Sequence, residues 1–577
     1  MEMNYTDKDL HEIEDELHVE ILPGTEIMRD VGSHHFVKSG DTTHRVLVPQ
    51  PTDDKHDPLN WSRWWKGSAI TVTTYITFVQ GFGPLALAPQ FEYYMEDFHC
   101  SLADAIQFTG VCILVLGFSN FVWVPISSSF GRRPVLFFST LICFASAIWR
   151  AEAKSYSSFM GAAVVNGIGA GPAETMQPAI IADIFFLHDR GKWNTMYWVA
   201  YMGSLMVGPI ISGSMALHAG WRSFWWLNAG LLGLGCVLVA FLYPETKYPR
   251  PHEHDMHAHT TKAAPSLSPA PSTEEKTNAT AIEFADGPGA TANNAIEQIP
   301  THNTTTAGPG RDLEATPTAQ RDPWLTRGSP SKTQWGLYQR NAHPWRSILL
   351  DLWIPWKLFA FPIVEFASFV VSWSCSSFLT INLTQAQNFA APPYAFSSEV
   401  VGFMNFAILV GAFVGLATAG PLSDWVAARL TARNGGIREP EMRLPAMIPY
   451  VIIMIIGNVC VAVGYDEKWH WAPIVVVGYA CAGIQVAALP AIASTYAVDS
   501  YKPVAGSLFV SITVNKNVWG YGFSKFITPW SEEAGFIPPI MTNMALVTLF
   551  SACGIIFYFY GKTVRRWSKN SNVHKME

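Results

Sequence analysis

The sequence predicts an all-α polytopic membrane protein, with twelve transmembrane helices in two six-helix bundles. Three observations point there. About twelve apolar stretches, each near 20 residues, are long enough to cross a bilayer. A polar, proline-rich segment of roughly a hundred residues separates the first six from the second six. Only 14% of the residues are charged, against about 25% in a soluble domain.

Taken in order, residues 1–64 form a polar N-terminal tail, acidic at Glu12, Glu14, Asp15, Glu16 and Glu20. The tail lacks the basic start, short apolar core and cleavage site of a secretory signal, so the first helix must itself direct insertion. The N-terminal bundle, 65–246, has helix cores at 66–88, 106–127, 134–151, 158–181, 195–217 and 223–243. Residues 247–350 are too poor in aromatic and branched apolar side chains to offset their ordering entropy and read as a disordered linker. The C-terminal bundle, 351–562, has cores at 355–378, 399–420, 445–464, 471–493, 504–526 and 539–560, and 563–577 is a second tail.

Lysine and arginine crowd one set of connections, at Arg132, Arg133, Arg190, Lys192, Arg429, Arg433, Arg438, Arg443, Lys502, Lys562, Arg565 and Arg566. The opposite set holds only Arg150, Lys154, Arg222 and Lys468. By the positive-inside rule both tails and the linker are cytoplasmic. The net charge of -7 lies mostly in the tails, and without a clustered basic face nucleic acid is excluded as a partner. Seven of the eight cysteines fall in apolar runs and Cys100 in an outer loop, so no disulfide framework is implied. In the linker, His252, His254, His257 and His259 are imidazoles of the kind that bind transition metals. No carboxylate or cysteine geometry accompanies them and the expected organisation is disorder, so a solvated run is preferred and no metal site is assigned. Asn382, in the sequon with Thr384, is a candidate glycosylation site at the outer end of helix seven. The sequons at Asn278 and Asn303 lie in the cytoplasmic linker and should be unmodified.

Several motifs narrow the reading. PISSSFGRRPV, Pro125 to Val135, fills the loop between helices two and three, and GPLSDW, Gly420 to Trp425, fills the matching loop between helices eight and nine. The pair resembles the signature loops of the major facilitator superfamily, in which the motif helps hold the two halves together on the cytoplasmic side. The family's glycine falls here on Val124 and its aspartate on Ser128, so Gly131, Arg132, Arg133 and Pro134 carry over, with Asp424 supplying the acid in the second half. SLMVGPIISG in helix five, with Gly208, Pro209 and Gly213, permits close helix approach and a bend. It is also similar to the motif that marks antiporter branches. NGIGAG in helix four resembles that branch's glycine-rich motif, with Ala163 where its arginine stands. DPLNWSRWWK, PETKY, NGGIREPEMRLP and STYAVDSY are similar to the fungal twelve-span drug:proton antiporter branch, especially the yeast polyamine and histidinol carrier group.

Charged groups inside spans cost about 2.5 to 3.5 kcal/mol on insertion scales and are functional candidates by default. Three stand out: Glu174 and Glu365, placed at matching depth in helices four and seven, and Lys516 in helix eleven beside Asn515. In the family fold helices one, four, seven and ten line a central cavity, so the resemblance puts both acids on its wall. Either would then load and release a proton or bind a cationic amine. The structural alternative is a Glu365–Lys516 ion pair holding the C-terminal half together. Gln80, Gln177 and Gln485, on helices one, four and ten, are further candidates against a reading as interhelical glue worth about 0.6 kcal/mol each. Trp373, Tyr75 and Tyr479 are weaker candidates as stacking surfaces. Asp183 and Asp499 read as helix-end groups pairing with Arg190, Lys192 or Lys502.

The expected function is proton-coupled secondary transport of a small organic molecule by alternating access about a midplane site. Efflux of a drug, toxin or secondary metabolite is preferred. Uptake of polyamine-like organic cations is the alternative, and a non-transporting membrane sensor the alternative of another class. No nucleotide-binding glycine loop is present, and no nucleophile, base and orienting acid can be assembled, so no enzyme is expected. The energy source is the proton gradient, with no cofactor. A monomer in the plasma membrane is expected, with the vacuolar membrane the other possible site.

Overall fold

A computed structural model of the chain describes residues 54–248, 324–336, 344–501 and 504–568, with short pieces at 22, 25–27, 51–52 and 338–339. The first six spans are α1 (Arg63–Gly81), α2 (Leu102–Phe130), α3 (Arg132–Glu152), α4 (Tyr156–Ala170 continued by Pro172–Ile184), α5 (Leu187–Ala219) and α6 (Trp221–Leu242). The second six begin with α7 (Pro362–Phe389), α8 (Ser398–Phe403 continued by Asn405–Arg433) and α9 (Ile448–Asp466, entered through a 3-10 segment Pro440–Met447). They end with α10 (Trp471–Pro473, Ile474–Tyr479 and Ala480–Ser500), α11 (Ala505–Ala534) and α12 (Ile537–Ser568).

Among the described residues nine helices are long and apolar enough to cross a membrane unaided. The spans that fall short are α1, the broken α4 and α11. Pro172 has no N–H to continue the helix before it and divides α4. Polar and charged groups in α1 and α11 have to be held by protein rather than lipid. Caps set the starts: Ser101 and Asp104 form a capping box for α2, and the Ser155 hydroxyl accepts from Ser158 N in α4. The turn from α2 into α3 passes through Gly131 at φ 114, a backbone region that side chains avoid. A Cβ there would also collide with the Glu245 carboxylate.

Two boundaries differ from the sequence reading. The seventh span was expected at 355–378, but α7 runs Pro362–Phe389 after a separate helix, Pro344–Leu358. That preceding helix lies under the N-terminal half, with Trp356 stacked on Phe121 at 4.8 Å, and the Pro355 carbonyl accepts from Ser511 Oγ at 2.9 Å. The outer half of α7 is rich in Ser, Thr, Asn and Gln, which reads as a loop until the neighbouring helices are seen to enclose it.

The expected linker also ends early. Gly328 N donates to Asn60 O at 2.9 Å, Ser62 N donates to Gly328 O at 2.9 Å, and Glu245 N donates to Gln334 O at 2.8 Å. Residues 324–336 are thus tied to the N-terminal half through the DPLNW and PETKY segments. The His252–His259 run and the sequons at Asn278 and Asn303 lie outside the described residues. A two-stranded antiparallel sheet joins β1 (Glu26–Ile27), in the N-terminal tail, to β2 (Ile437–Arg438), between α8 and α9.

The halves meet where small residues allow it. Gly110 and Gly117 of α2 face Ser524 and Asn517 of α11, Gly213 of α5 faces the Ser398 backbone of α8, and Gly402 faces the Pro209 carbonyl. On the outer side Ser398 Oγ donates to Gly213 O at 3.1 Å, Ser214 Oγ donates to Glu399 at 3.1 Å, and His218 Nε2 lies 3.3 Å from the same carboxylate.

Candidate functional site

Glu174, in the lower segment of α4, is the centre of the best-formed polar cluster inside the membrane. Its side chain is 6% exposed. Lys516 Nζ of α11 lies 2.5 Å from Glu174 Oε1, the Tyr201 hydroxyl of α5 donates to the same oxygen, and Asn517 Nδ2 donates to Oε2 at 3.2 Å. Tyr197, one turn before Tyr201, donates to the Glu174 backbone carbonyl at 2.9 Å and fixes the helix beneath. A carboxylate of the N-terminal half therefore grips an ammonium of the C-terminal half. Beside it is a cavity of about 40 Å³. The walls include Pro178 and Trp198 of the N-terminal half and Cys375, Ser494 and Phe509 of the C-terminal half. Ligand pockets for organic molecules span roughly 300–1,000 Å³, so a substrate requires the cluster to open.

Lys516 thus pairs with Glu174, not with Glu365 as the sequence-level alternative had it. Glu365 of α7 is reached by the neighbouring residue of α11, Asn515, with Nδ2 at 3.5 Å from Oε2, and its Oε1 has no partner among the described residues. Successive residues of α11 therefore touch the two acids. They share a level, but only one is neutralised by a cation.

The three glutamines turn away from this cluster. Gln177 accepts from Thr77 Oγ1 at 2.9 Å and donates to Thr74 Oγ1 at 2.6 Å, tying α4 to α1. Gln485 accepts from Ser374 Oγ at 2.9 Å and donates to Ser374 O at 3.1 Å, tying α10 to α7. Gln80 donates to Ser139 Oγ at 3.1 Å and Thr140 Oγ1 at 3.0 Å of α3. All three are buried interhelical links inside one half. Tyr75 donates to the Leu231 carbonyl, Tyr479 bonds Tyr465, and Trp373 packs on Trp519 at 4.9 Å, so these rings belong to helix packing. Of the α5 motif, Gly208 admits the Phe82 carbonyl at the end of α1, and Gly213 and Pro209 form the contact with α8.

On the cytoplasmic side the arginine motif has an acid the sequence reading missed. Glu245, in PETKY, accepts from the backbone N–H of Arg132 at 2.8 Å and of Arg133 at 3.0 Å, so it caps α3. Burial pushes the Glu245 carboxyl up from its ordinary value, against the pull of the Lys247, Arg132 and Arg133 N–H groups. The Arg132 side chain pairs with Asp183 of α4 at 3.2 Å. In the second half Arg443 pairs with Asp424 at 2.6 Å and Asp499 of α10 at 2.7 Å. Asp183 and Asp499 thus take the motif arginines, not only the flanking basic residues expected for them. The two halves repeat the arrangement, an arginine entering the third helix of a half held by an aspartate ending the fourth. Arg150, expected at the outer edge, is instead buried over the Trp225 ring at 4.4 Å.

The candidate glycan acceptor is not presented. Asn382 is 1% exposed inside α7, beside Asn405. Helix α7 continues past it to Phe389, which the sequence reading placed in a loop. Asn382→Gln is therefore expected to leave gel mobility unchanged with and without glycosidase. A glycosidase-sensitive band that disappears in the variant would contradict the burial.

The sequence model of the Major Facilitator Superfamily matches residues 73–514. An uncharacterized MFS-type transporter of Schizosaccharomyces pombe is 25% identical, covering 96% of this chain and 94% of that protein. Protein HOL1 of Saccharomyces cerevisiae is 25% identical, covering 91% of each chain. The efflux pump FUB11 of Gibberella moniliformis is 24% identical over 92% of this chain and 80% of its own length. Among solved structures the proton:xylose symporter XylE shares the fold, with a TM-score of 0.51 and 13% identity over 86% of this chain and 95% of that one. Twelve spans in two halves, joined across a buried acid and repeating one arginine motif, agree with a family match over more than half the sequence, and the chain belongs to the Major Facilitator Superfamily.

Proposed function

We propose that this transporter exports a small organic molecule in exchange for protons, with Glu174 as the coupling group. The observation that carries the reading is the Glu174–Lys516 contact, because it joins the two halves beside a cavity too small for an organic substrate. Halves that alternate their access must part there. Protonating Glu174 removes the charge that holds Lys516 and so favours parting, which links proton uptake to opening. Efflux pumps among the relatives support the outward direction. A second reading, uptake of a polyamine-like cation, is favoured by one feature: Glu174, oriented by the Tyr201 hydroxyl and the Asn517 amide, already accepts from a primary ammonium, that of Lys516. The plasma membrane and a monomeric state complete the proposal.

The test is flux in vesicles reconstituted with the purified protein. An imposed proton gradient should drive toxin or metabolite movement against its own gradient, and a protonophore should stop it. Gradient-driven spermidine accumulation in the opposite sense would select the second reading. Saturable binding without flux for either class would overturn both and leave a sensor.

A further inference from the structure

A second cavity shares no wall residue with the one at the Glu174 cluster. It is a groove of about 550 Å³ on the lipid-facing side of the C-terminal half, between the cytoplasmic ends of α8, α9 and α12. We propose that it is a binding site for one anionic phospholipid of the cytoplasmic leaflet, with an acyl chain in the groove and the phosphate on Arg429 and Arg433.

The walls are apolar and open to the bilayer. Ile448 is 60% exposed, Ile452 53% and Ile555 61%, and all three line the groove. From Leu444 to Ile452 it follows the end of the 3-10 segment and the first turn of α9, about 14 Å at roughly 2.0 and 1.5 Å per residue. One leaflet contributes about 15 Å of the hydrocarbon core, so the groove holds most of one chain. At membrane depth such a concavity is filled by lipid rather than by water.

The charge at its mouth selects the head group. Arg429 and Arg433 are one helical turn apart on α8, both exposed, and both line the groove. The neighbouring cations of this corner are engaged: Arg443 by Asp424 and Asp499, and Arg565 and Lys562 by Glu439. Arg429 and Arg433 have no carboxylate partner among the described residues, and the Arg429 guanidinium lies over the Trp425 ring at 5.4 Å. Two unengaged guanidiniums above an apolar trough match an anionic head on an acyl chain, and basic pockets between helices on the cytoplasmic side are a recognised setting for such lipids. A zwitterionic lipid fits the trough but gains less from the arginines.

The full-length protein in nanodiscs of phosphatidylcholine with a minor fraction of phosphatidylserine would be released into the gas phase and its retained lipids weighed by native mass spectrometry. One phosphatidylserine per chain should be retained, favoured about tenfold over phosphatidylcholine. The double variant Arg429→Ala/Arg433→Ala should lose the preference, and Ile452→Trp, which fills the trough and keeps both charges, should lose the bound lipid. Melting in phosphatidylcholine alone checks that both variants fold. Equal retention of the two lipids, unchanged retention in both variants, or displacement by soluble glycerophosphoserine would overturn the proposal. So would a dimer mass lost on Ile452→Trp, which would make the groove a contact between copies.

Discussion

Replacing Glu174 by glutamine is expected to reduce proton-driven transport at least tenfold while leaving the protein folded. The amide keeps the volume and one acceptor for Tyr201 but loses the charge facing Lys516. Hydrogen bonds to charged groups are worth about 1.5 to 3 kcal/mol each, and about 1.4 kcal/mol is a factor of ten. Losing charge on a contact that must break and remake in every cycle therefore exceeds a tenfold effect. Stability should fall in Glu174→Gln and in Lys516→Gln, since each leaves one buried charge or dipole poorly matched. The double variant Glu174→Gln/Lys516→Gln separates a structural brace from a coupling group. A brace predicts that the double variant regains both melting temperature and transport. A coupling group predicts that it regains the melting temperature alone, because no carboxyl remains there to take up a proton. Unchanged gradient-driven flux in Glu174→Gln would refute the coupling role.

Arg565→Ala is expected to be the most destabilising single change in the C-terminal half. The Arg565 side chain is 0% exposed and bonds Glu441 at 2.8 and 2.9 Å and Glu439 at 2.6 Å. Both glutamates are buried, at 4% and 3% exposure. Deleting the guanidinium leaves two carboxylates enclosed, with Lys562 at 2.9 Å and the Thr25 hydroxyl at 2.8 Å still beside Glu439. Removing one partner of a buried pair costs about 3 to 5 kcal/mol, which for a unit of this size lowers Tm by on the order of ten degrees. A thermal melt of the full-length protein in detergent measures it, and a loss under about two degrees would show that Lys562 and water replace the arginine. Glu439 also has a pH signature, opposite in sign to that of Glu441, whose carboxyl burial pushes up. Burial opposes the charge on Glu439, but the Arg565 guanidinium and Lys562 outweigh it and hold its pKa below the ordinary 4.5. A depressed acid contributes stability that is complete above its unfolded pKa, so this contribution is present at neutral pH and lost as pH falls through and below about 4.5.

The architecture was legible in the sequence because lipid-facing helices announce themselves by hydropathy and the cytoplasmic loops by arginine. The acids and lysine of the membrane interior were legible for the same reason, since each is a costly exception. Their pairing was not. Counting along a helix gives depth but only loosely which way a side chain turns, so Lys516 was as compatible with Glu365 as with Glu174. Tyr201 was lost among the many aromatics, and its only signal was the one-turn spacing from Tyr197 on the helix that carries Gly208 and Pro209. Glu245 was inside a quoted motif, but nothing local says that a residue after the sixth span caps the third. The outer end of α7 was misplaced because hydropathy reports contact with lipid, and that helix is enclosed by protein.

Gln177 and Gln485 make corresponding links in the two halves, each tying its fourth helix to its first. Neither reaches across to the other half. Each bundle is in this sense a stiff arm, its shape set by latches that do not change as the arms swing. The joint between them is made by other groups, small residues in close approach, the Glu174–Lys516 pair and the outer bonds of Ser398, Ser214 and His218. Work done by an ion or a substrate at that joint is not absorbed in bending either arm, and a small local displacement there becomes a large one at the membrane surfaces.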